Sequence, residues 1–232
     1  MRREMVKHRP KTRLTVAGIV IVFLTFLFGR VLTDTLKESV DSLTSAISEY
    51  RSELGTTTTS DQIANLQLQM TAASEKGALA APTAGKDYTP MITEDLGTLE
   101  QRRDELNVDM DDTSRLVDAL PRGADDLRKF SESVRPYVDK ANRGVDDLKK
   151  PGQTNDWNRA LKVKVGPVPV LIAEIGVVVV GDAALTRANQ VRDAREKIYH
   201  FCLWTSYVLY ALGIILTLYG VLSGVGPIPA NA

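Results

Sequence analysis

The chain has 232 residues and carries 29 acidic and 29 basic side chains, so its formal net charge at pH 7 is zero. One cysteine excludes an intrachain disulfide, and two histidines, His8 and His200, are too few for a histidine-based triad or a zinc site of the usual ligand set. The glycine motifs of nucleotide-binding loops are absent from the sequence. We therefore expect a protein that is not an enzyme and that holds no cofactor or metal.

The first 32 residues combine a basic tail with an apolar run. Residues 1–12 form the tail, and residues 13–32 are apolar over the length that a helix needs to span a bilayer. No small-x-small cleavage site follows, which favours an uncleaved signal anchor over a cleaved signal peptide. Six Lys/Arg against one Glu in residues 1–13 predict a cytoplasmic N-terminus. Arg30 is expected to reach the outer headgroups, with a functional charge inside the membrane as the alternative.

Residues 33–160 are expected to form an acidic, extracytoplasmic helical region. They contain 16 Lys/Arg and 24 Asp/Glu, a net charge of −8, which argues against nucleic acid as a partner. The absence of paired cysteines and of Asn-x-Ser/Thr sites favours a bacterial inner or plasma membrane. Carboxylates cluster at Asp109, Asp111 and Asp112, a pattern more typical of a solvated helix face than of a weak site for divalent cations.

Apolar residues at alternating four- and three-residue steps predict helices that each have one packing face. The first of these seams continues from the first span and ends at Gly55. A short second helix is predicted from Asp61, with Ser60 as its cap, and residues 77–90 are predicted to be a connection because they contain small residues and two prolines. The seam of the first helix comprises Leu36, Val40, Leu43, Ile47, Tyr50 and Leu54.

Two further seams follow the connection. Thr89 is predicted to cap a helix that has Pro90 at its first position and that ends at Pro121. The seam of this helix comprises Ile92, Leu96, Leu99, Arg103, Leu106, Met110, Thr113, Val117 and Leu120, and the seam of the next comprises Leu127, Phe130, Val134, Tyr137, Ala141, Val145 and Leu148. Short turns between such helices favour antiparallel neighbours, so an antiparallel helical bundle or coiled coil is expected.

Residues 161–181 are an apolar segment with conflicting signals. Leu161, Val163 and Val165 alternate with lysines and glycine as in a strand, and Pro167 and Pro169 follow. A β-hairpin or irregular segment, a re-entrant or interfacial element, and a short membrane span all remain open. Glu174 makes a span costly, so two membrane spans are favoured over three, with Glu174 as a candidate charge in the membrane.

The C-terminal part predicts a second long helix. Asp182 is the expected N-cap, residues 182–197 are expected to be membrane-proximal, residues 198–222 to span the bilayer, and residues 223–232 to be a short tail. The small-residue motifs Gly213-x-x-x-Thr217 and Gly220-x-x-x-Gly224 are candidate helix contacts, with homodimerisation as one possible use.

The expected fold class is therefore a mainly α membrane protein, in which two long helices continue from their spans into a bundle outside the cytoplasm. Its coiled-coil seams favour a structural or accessory subunit, a scaffold that acts through helix contacts within an oligomer or a larger membrane complex. One alternative is a sensor without its own output domain, since the layout resembles in outline the sensory half of bacterial chemoreceptors. Another is a small channel or transporter component, to which only Glu174 points.

Overall fold

Six helices account for nearly all of the residues that the computed structural model describes, which are 10–54, 58–79, 87–121, 124–150 and 157–223. The helices are α1 (Pro10–Leu54), α2 (Thr59–Ala78), α3 (Thr89–Ala119), α4 (Asp125–Lys149), α5 (Trp157–Val165) and α6 (Pro167–Leu222). The described part of the chain contains no strand. The prediction of a mainly α-helical protein is confirmed.

A side-chain cap marks the start of α2 but not that of α3, whose N-cap is Tyr88 without a side-chain capping hydrogen bond, so the predicted cap at Thr89 is wrong by one residue. The Thr58 hydroxyl accepts a hydrogen bond from the Asp61 backbone N–H at 3.2 Å, so α2 begins at Thr59 and the predicted cap at Ser60 is wrong by two residues. Pro90 lies in the first turn of α3, where its missing N–H leaves no hydrogen bond unmade. The predicted breaker Gly55, most of the connection at 77–90 and the tails before Pro10 and after Ser223 lie outside the described residues.

The strand-like reading of residues 161–181 is wrong, because this segment is helical. Its alternating part belongs to α5, and α6 begins directly afterwards at Pro167. Gly166 joins the two helices, and its N–H donates to the Val163 carbonyl at 3.1 Å. Both prolines lie in the first turn of α6, where a helix has no use for their N–H groups. The valines of this segment are helical despite their strand propensity, because the helix buries one face of them in the core.

The predicted helix start at Asp182 is also wrong. Asp182 lies inside α6, which runs without a break for 56 residues. Its side chain accepts a hydrogen bond from the Thr59 hydroxyl at 2.9 Å. An Asp that resembles an N-cap in sequence therefore serves as a bridge between helices.

The chain divides into two compact units. Unit 1 comprises Met1–Ser42 and Arg192–Ala232, and unit 2 comprises Leu43–Val191. Unit 2 is a helical bundle, whose core takes residues from α1, α3, α4 and α6. The fully buried side chains of this core include Leu43, Leu99, Leu106, Leu116, Val145, Val170, Val177 and Val180.

The buried face of α4 differs from the predicted seam. Phe130 and Tyr137 are exposed, while Ser131 and Val138 are buried beside the smaller members of the seam. The helix is thus turned so that short side chains face the core. Short side chains permit the close approach of α3 and α4, whereas two aromatic rings would hold the helices apart.

Candidate functional site

Three glycines bring α1 and α6 into backbone contact within unit 1. A Cβ atom on Gly18 would lie 2.7 Å from the Gly213 carbonyl oxygen, and one on Gly213 would lie 3.1 Å from the Val22 amide nitrogen. A Cβ atom on Gly220 would lie 2.9 Å from the Thr15 amide nitrogen. Side-chain atoms do not fit at such distances, so these positions require glycine for packing rather than for an unusual backbone conformation.

The same contact continues along both helices. A Cβ atom on Gly29 would lie 3.2 Å from the Ser206 Cβ, and the Arg195 guanidinium donates a hydrogen bond to the Ser39 hydroxyl. Each step toward the C-terminus on α1 is matched by a step toward the N-terminus on α6. Unit 1 is therefore an antiparallel helical hairpin, in which the candidate contacts Gly213 and Gly220 meet α1 of the same chain. Gly224 lies outside the described residues.

The outer faces of this hairpin are apolar and exposed. Two helical stretches are long and apolar enough to cross a membrane, Arg13–Ser52 within α1 and Trp157–Leu222, which comprises α5 and α6. Their most apolar stretches differ in burial, at 6% for the first and 44% for the second. The 44% buried share reflects the part of α6 inside unit 2. Among residues 198–222, only Gly213 and Gly220 are buried. Exposed large side chains of the hairpin include Ile19, Phe23, Phe28, Val31, Phe201, Trp204, Tyr207, Ile215 and Leu218.

Arg30 lies on the surface of the hairpin. Its guanidinium is 3.8 Å from the Asp34 carboxylate one turn later and stands 6.0 Å from the centre of the Phe26 ring. Both charged side chains are more than two-thirds exposed. The Arg30 guanidinium thus has Asp34 as a local partner beside the exposed apolar side chains of the hairpin.

Glu174 lies in unit 2, where its carboxylate accepts two hydrogen bonds from Arg102 of α3. The Nε–Oε1 distance is 2.7 Å and the Nη2–Oε2 distance is 3.0 Å. Only 11% of the Glu174 side chain is exposed. The charge inside the apolar segment 161–181 is thus compensated by a cation of the bundle, 72 residues away in sequence.

A cleft of about 220 Å³ lies beside Glu174 in unit 2. Three carboxylates line it, from Asp109, Asp112 and Glu174. The remaining lining residues are Tyr50, Gln62, Asn65, Leu66, Val177 and Val178. The cleft therefore has one acidic side, hydroxyl and amide groups, and an apolar wall, and α1, α2, α3 and α6 each contribute to it.

Burial and like charges alter the acidity of two groups that line the cleft. Desolvation, followed by the negative charges of Glu174, Asp112 and Glu105, raises the pKa of Asp109 to about 6, although part of the side chain stays open to solvent. Burial also raises the pKa of the Tyr50 hydroxyl, and the nearby Thr113 hydroxyl offsets part of that rise. The pKa of Asp109 therefore lies closer to neutral pH than that of an ordinary carboxyl group.

Asp112 is the most buried of the three acids, with 8% of its surface exposed. Its Oδ1 atom accepts a hydrogen bond from Arg115 Nη1 at 3.3 Å. Its Oδ2 atom is buried without a hydrogen-bond partner among the described residues. Those residues contain no group of three or more Asp, Glu, His or Cys side chains that could hold a metal ion.

A second cleft of about 580 Å³ lies next to Arg102 and has a different character. Lys76, Lys164 and Arg102 line it together with Asp95 and apolar residues of α2, α3, α5 and α6. The Arg102–Glu174 pair therefore stands where a basic cleft and an acidic cleft approach each other. No sequence pattern predicts either cleft, since their residues come from segments far apart in the chain.

The predicted seam residues fall into three groups. Leu43, Ile47, Leu99, Leu106 and Val117 are buried in the core of unit 2. Leu36, Val40 and Leu96 are half-buried, Leu96 against a small cluster formed by Tyr88, Ile92, Ala160 and Val163. Leu54 is the last residue of α1. The seams of α1 and α3 are thus largely occupied by packing within one chain.

No protein-family model, curated protein or solved structure matches the chain. Class and function are therefore inferred from contacts, burial and charge alone.

Proposed function

We propose that this chain is an integral membrane protein with two spans, residues 13–32 and 198–222, and that it acts through contact as a scaffold or accessory subunit of a membrane complex. The observation that carries the proposal is the outer surface of unit 1, where large apolar side chains are exposed on both helices. Water-soluble monomers rarely expose an apolar surface of that extent. A bilayer about 30 Å thick matches spans of this length.

Two spans are favoured over three because residues 161–181 belong to unit 2. Their apolar side chains Val170, Leu171 and Val177 are buried in protein, and Glu174 has Arg102 as its partner. The basic residues of the N-terminal tail favour a cytoplasmic N-terminus. Both spans then return the chain to the same side, and unit 2 faces the other compartment.

A larger membrane partner would contact the outer surface of the hairpin, because the seams are buried within the chain. Leu99 and Leu106 are 1% and 0% exposed, so they are not accessible to a second chain. The hairpin keeps aromatic side chains such as Phe28 and Trp204 on its outside. Apolar and aromatic residues of that kind pack against lipid or against the helices of another membrane protein.

Membrane insertion and topology can be tested with single cysteines. In a Cys202→Ser background, a cysteine at the exposed Ser133 of α4 is expected to react with a membrane-impermeant maleimide on intact cells. A cysteine at His8 is expected to react only after the membrane is broken. Release of the protein by alkaline carbonate would contradict insertion, and labelling of His8→Cys on intact cells would contradict the orientation.

The contact function can be tested by purification in a mild detergent. We expect a stoichiometric membrane partner to co-purify, and we expect Trp204→Ala to reduce its yield. Leu68→Ala is the matched control, because Leu68 in unit 2 is 71% exposed and Trp204 is 70% exposed. A homogeneous particle that contains this chain alone would contradict the accessory role.

A sensor is the second candidate, and the acidic cleft of unit 2 is the observation that favours it. A ligand that binds in a cleft among four helices can shift the bundle from one conformation to another. Such a sensor would need a separate signalling partner. The channel alternative is not proposed, because its only pointer, Glu174, is paired with Arg102 within unit 2.

A further inference from the structure

The basic cleft of unit 2, about 580 Å³ in volume, collects cations from three helices. Lys76 comes from α2, Arg102 from α3 and Lys164 from α5, and Asp95 is the only carboxylate among the described residues that line the cleft. Unit 2 as a whole is acidic, since residues 43–191 contain 18 Lys/Arg and 23 Asp/Glu, a net charge of −5. The cleft is therefore a positive concave region on an acidic bundle, and such a region attracts an anion.

Arg102 is held in position and still has a donor to offer. Glu174 accepts hydrogen bonds from its Nε and Nη2 atoms. The Arg102 Nη1 atom donates to no described residue and is not among the buried atoms without a partner, and 24% of the side chain is exposed. Arg102 lines the basic cleft and not the acidic one, so this donor is open to the contents of the basic cleft. A guanidinium that one carboxylate fixes on one edge is preorganised to bind a second carboxylate on another edge.

The two lysines add charge that the protein does not compensate. Among the lysines that the structure describes, only Lys149 and Lys150 form ion pairs. Lys164 is half-buried and Lys76 is exposed. Because Glu174 neutralises Arg102, the two lysines and Asp95 leave the lining with one net positive charge. That charge matches a monovalent anion better than a multiply charged one.

The other walls of the cleft specify an anion that carries a hydrocarbon part. Ligand pockets commonly have volumes of about 300 to 1,000 Å³, are mostly apolar and contain a few converging polar groups. The basic cleft falls within that range of volume. Its uncharged polar groups come from Gln69 and Thr98. The apolar lining residues that keep accessible surface are Ala72, Ala73, Met91 and Pro167.

We propose that the basic cleft binds a small organic monocarboxylate with a short hydrocarbon part. The carboxylate group accepts hydrogen bonds from the Arg102 Nη1 atom and from the Lys164 ammonium group, and Lys76 adds to the positive side of the cleft. The hydrocarbon part lies against Ala72 and Met91. This site goes beyond the scaffold function and does not depend on it.

The test is equilibrium dialysis of the full chain, in an uncharged maltoside detergent, against radiolabelled n-hexanoate, with protein-free micelles as the blank. We expect saturable binding of one n-hexanoate per chain, which Lys164→Gln weakens at least tenfold, about 1.4 kcal/mol. Lys162→Gln is the matched control, because it removes the same charge from an exposed position of α5 that does not line the cleft, and it is expected to bind as the unsubstituted protein does. Neutral hexanamide is expected not to displace n-hexanoate.

A second variant keeps the test decisive if Lys164→Gln fails to fold, as judged by circular dichroism. Ala72→Trp fills the cleft from an exposed position of α2 and removes no charge, and it is expected to abolish binding. The absence of saturable binding would overturn the proposal, as would unchanged affinity in whichever of the two variants folds. An equal loss in Lys162→Gln would assign the effect to general charge and also overturn it.

Two competing ligands complete the test. Saturable binding of inorganic phosphate without n-hexanoate binding would assign the cleft to a bare anion, and displacement of n-hexanoate by hexanamide would assign it to apolar contacts alone. Either result would overturn the proposal. Failure of membrane insertion would leave all of these outcomes unchanged.

Discussion

Arg102 of α3 and Glu174 of α6 are joined by two parallel hydrogen bonds, at 2.7 and 3.0 Å. Bidentate geometry of this kind fixes both side chains in position and is stronger than a single contact. The pair places a charge in the middle of a valine-rich helix face without exposing that face to water. It also separates the acidic cleft of unit 2 from the basic one.

Removal of Arg102 is expected to destabilise the protein. Arg102→Ala leaves the nearly buried Glu174 carboxylate without its cation, which we expect to cost about 2–3 kcal/mol. This cost corresponds to a fall in Tm of about 5–10 °C, measured as loss of helical circular dichroism in detergent. The double variant Arg102→Met with Glu174→Leu is expected to recover most of the loss, because it leaves no charge unpaired. If the double variant instead lost as much free energy of unfolding as the two single variants together, direct coupling between Arg102 and Glu174 would be contradicted.

Gly181 is expected to tolerate no side chain. A Cβ atom there would overlap the Tyr50 hydroxyl and lie 2.7 Å from the Tyr50 Cζ atom. We expect Gly181→Ala to lower the free energy of unfolding by about 2–3 kcal/mol, and Tyr50→Phe to restore part of it in the double variant. Gly97→Ala is the control, since nothing lies within 4 Å of its Cβ position, and it is expected to stabilise α3 by about 0.5–1 kcal/mol. Equal effects at both glycines would argue against the close contact with Tyr50.

The antiparallel hairpin of unit 1 predicts a specific disulfide. The Cβ positions of Gly29 and Ser206 are 3.2 Å apart, near the range that disulfides occupy. In a Cys202→Ser background, cysteines at both positions are expected to cross-link within one chain when a membrane-permeant oxidant is added. The product is read as a mobility shift at monomer mass.

A cysteine at Val31 is the matched control for that experiment. Val31 lies two residues further along α1 and is exposed on the outer face. Its pair with Ser206→Cys is expected to remain reduced at monomer mass. Cross-linked dimers formed by Gly29→Cys and Ser206→Cys would show instead that these small residues meet between chains.

Asp109 is expected to make stability depend on pH. Because its pKa rises from 3.8 to about 6 in the folded state, the folded protein binds the proton more tightly than the unfolded chain does. Stability therefore falls as the pH rises from about 4 to about 6, and the loss persists above that range. Solvent screening at this partly exposed site limits the effect to about 1 kcal/mol.

Asp109→Asn tests this titration directly. The charged groups around Asp109 are Glu105, Asp112 and Arg102 on α3 and Glu174, the partner of Arg102, on α6. The Tyr50 hydroxyl lines the same cleft. The variant is expected to raise Tm at pH 7.5 and to flatten the Tm profile between pH 4 and 6. A profile that keeps its slope in Asp109→Asn would assign the titration to another group.

Local chemistry makes most helix positions predictable from the sequence. The heptad steps of α3 place Leu99, Leu106 and Val117 on one face, and the structure buries that face. The predicted seam of α4 is wrong at Phe130 and Tyr137, because two stripes are possible there and only the approach of α3 selects the smaller side chains. The strand reading of residues 161–181 is wrong because alternating valines fit a strand as well as a helix, and only tertiary burial selects the helix.

The candidate site lay beyond sequence reasoning for a physical reason. Asp109 and Asp112 are three residues apart, a spacing that predicts a solvated helix face. Asp111, between them, is indeed exposed to solvent. Their cleft exists only because α2 and α6 enclose one side of α3, and contacts over such sequence distances leave no periodic pattern. Glu174 stands out in the sequence as a charge in an apolar segment, but no spacing identifies Arg102 as its partner.

The glycine contacts of the hairpin imply an uneven tolerance to mutation over time. Gly18, Gly213 and Gly220 are each limited by the backbone of the facing helix, so any replacement forces the two helices apart. Outward positions such as Phe23 and Ile215 need only remain apolar. In descendants of this sequence, the glycines should persist while their exposed apolar neighbours change among leucine, isoleucine, valine and phenylalanine, so the two helices would diverge rapidly in identity yet conserve their line of contact.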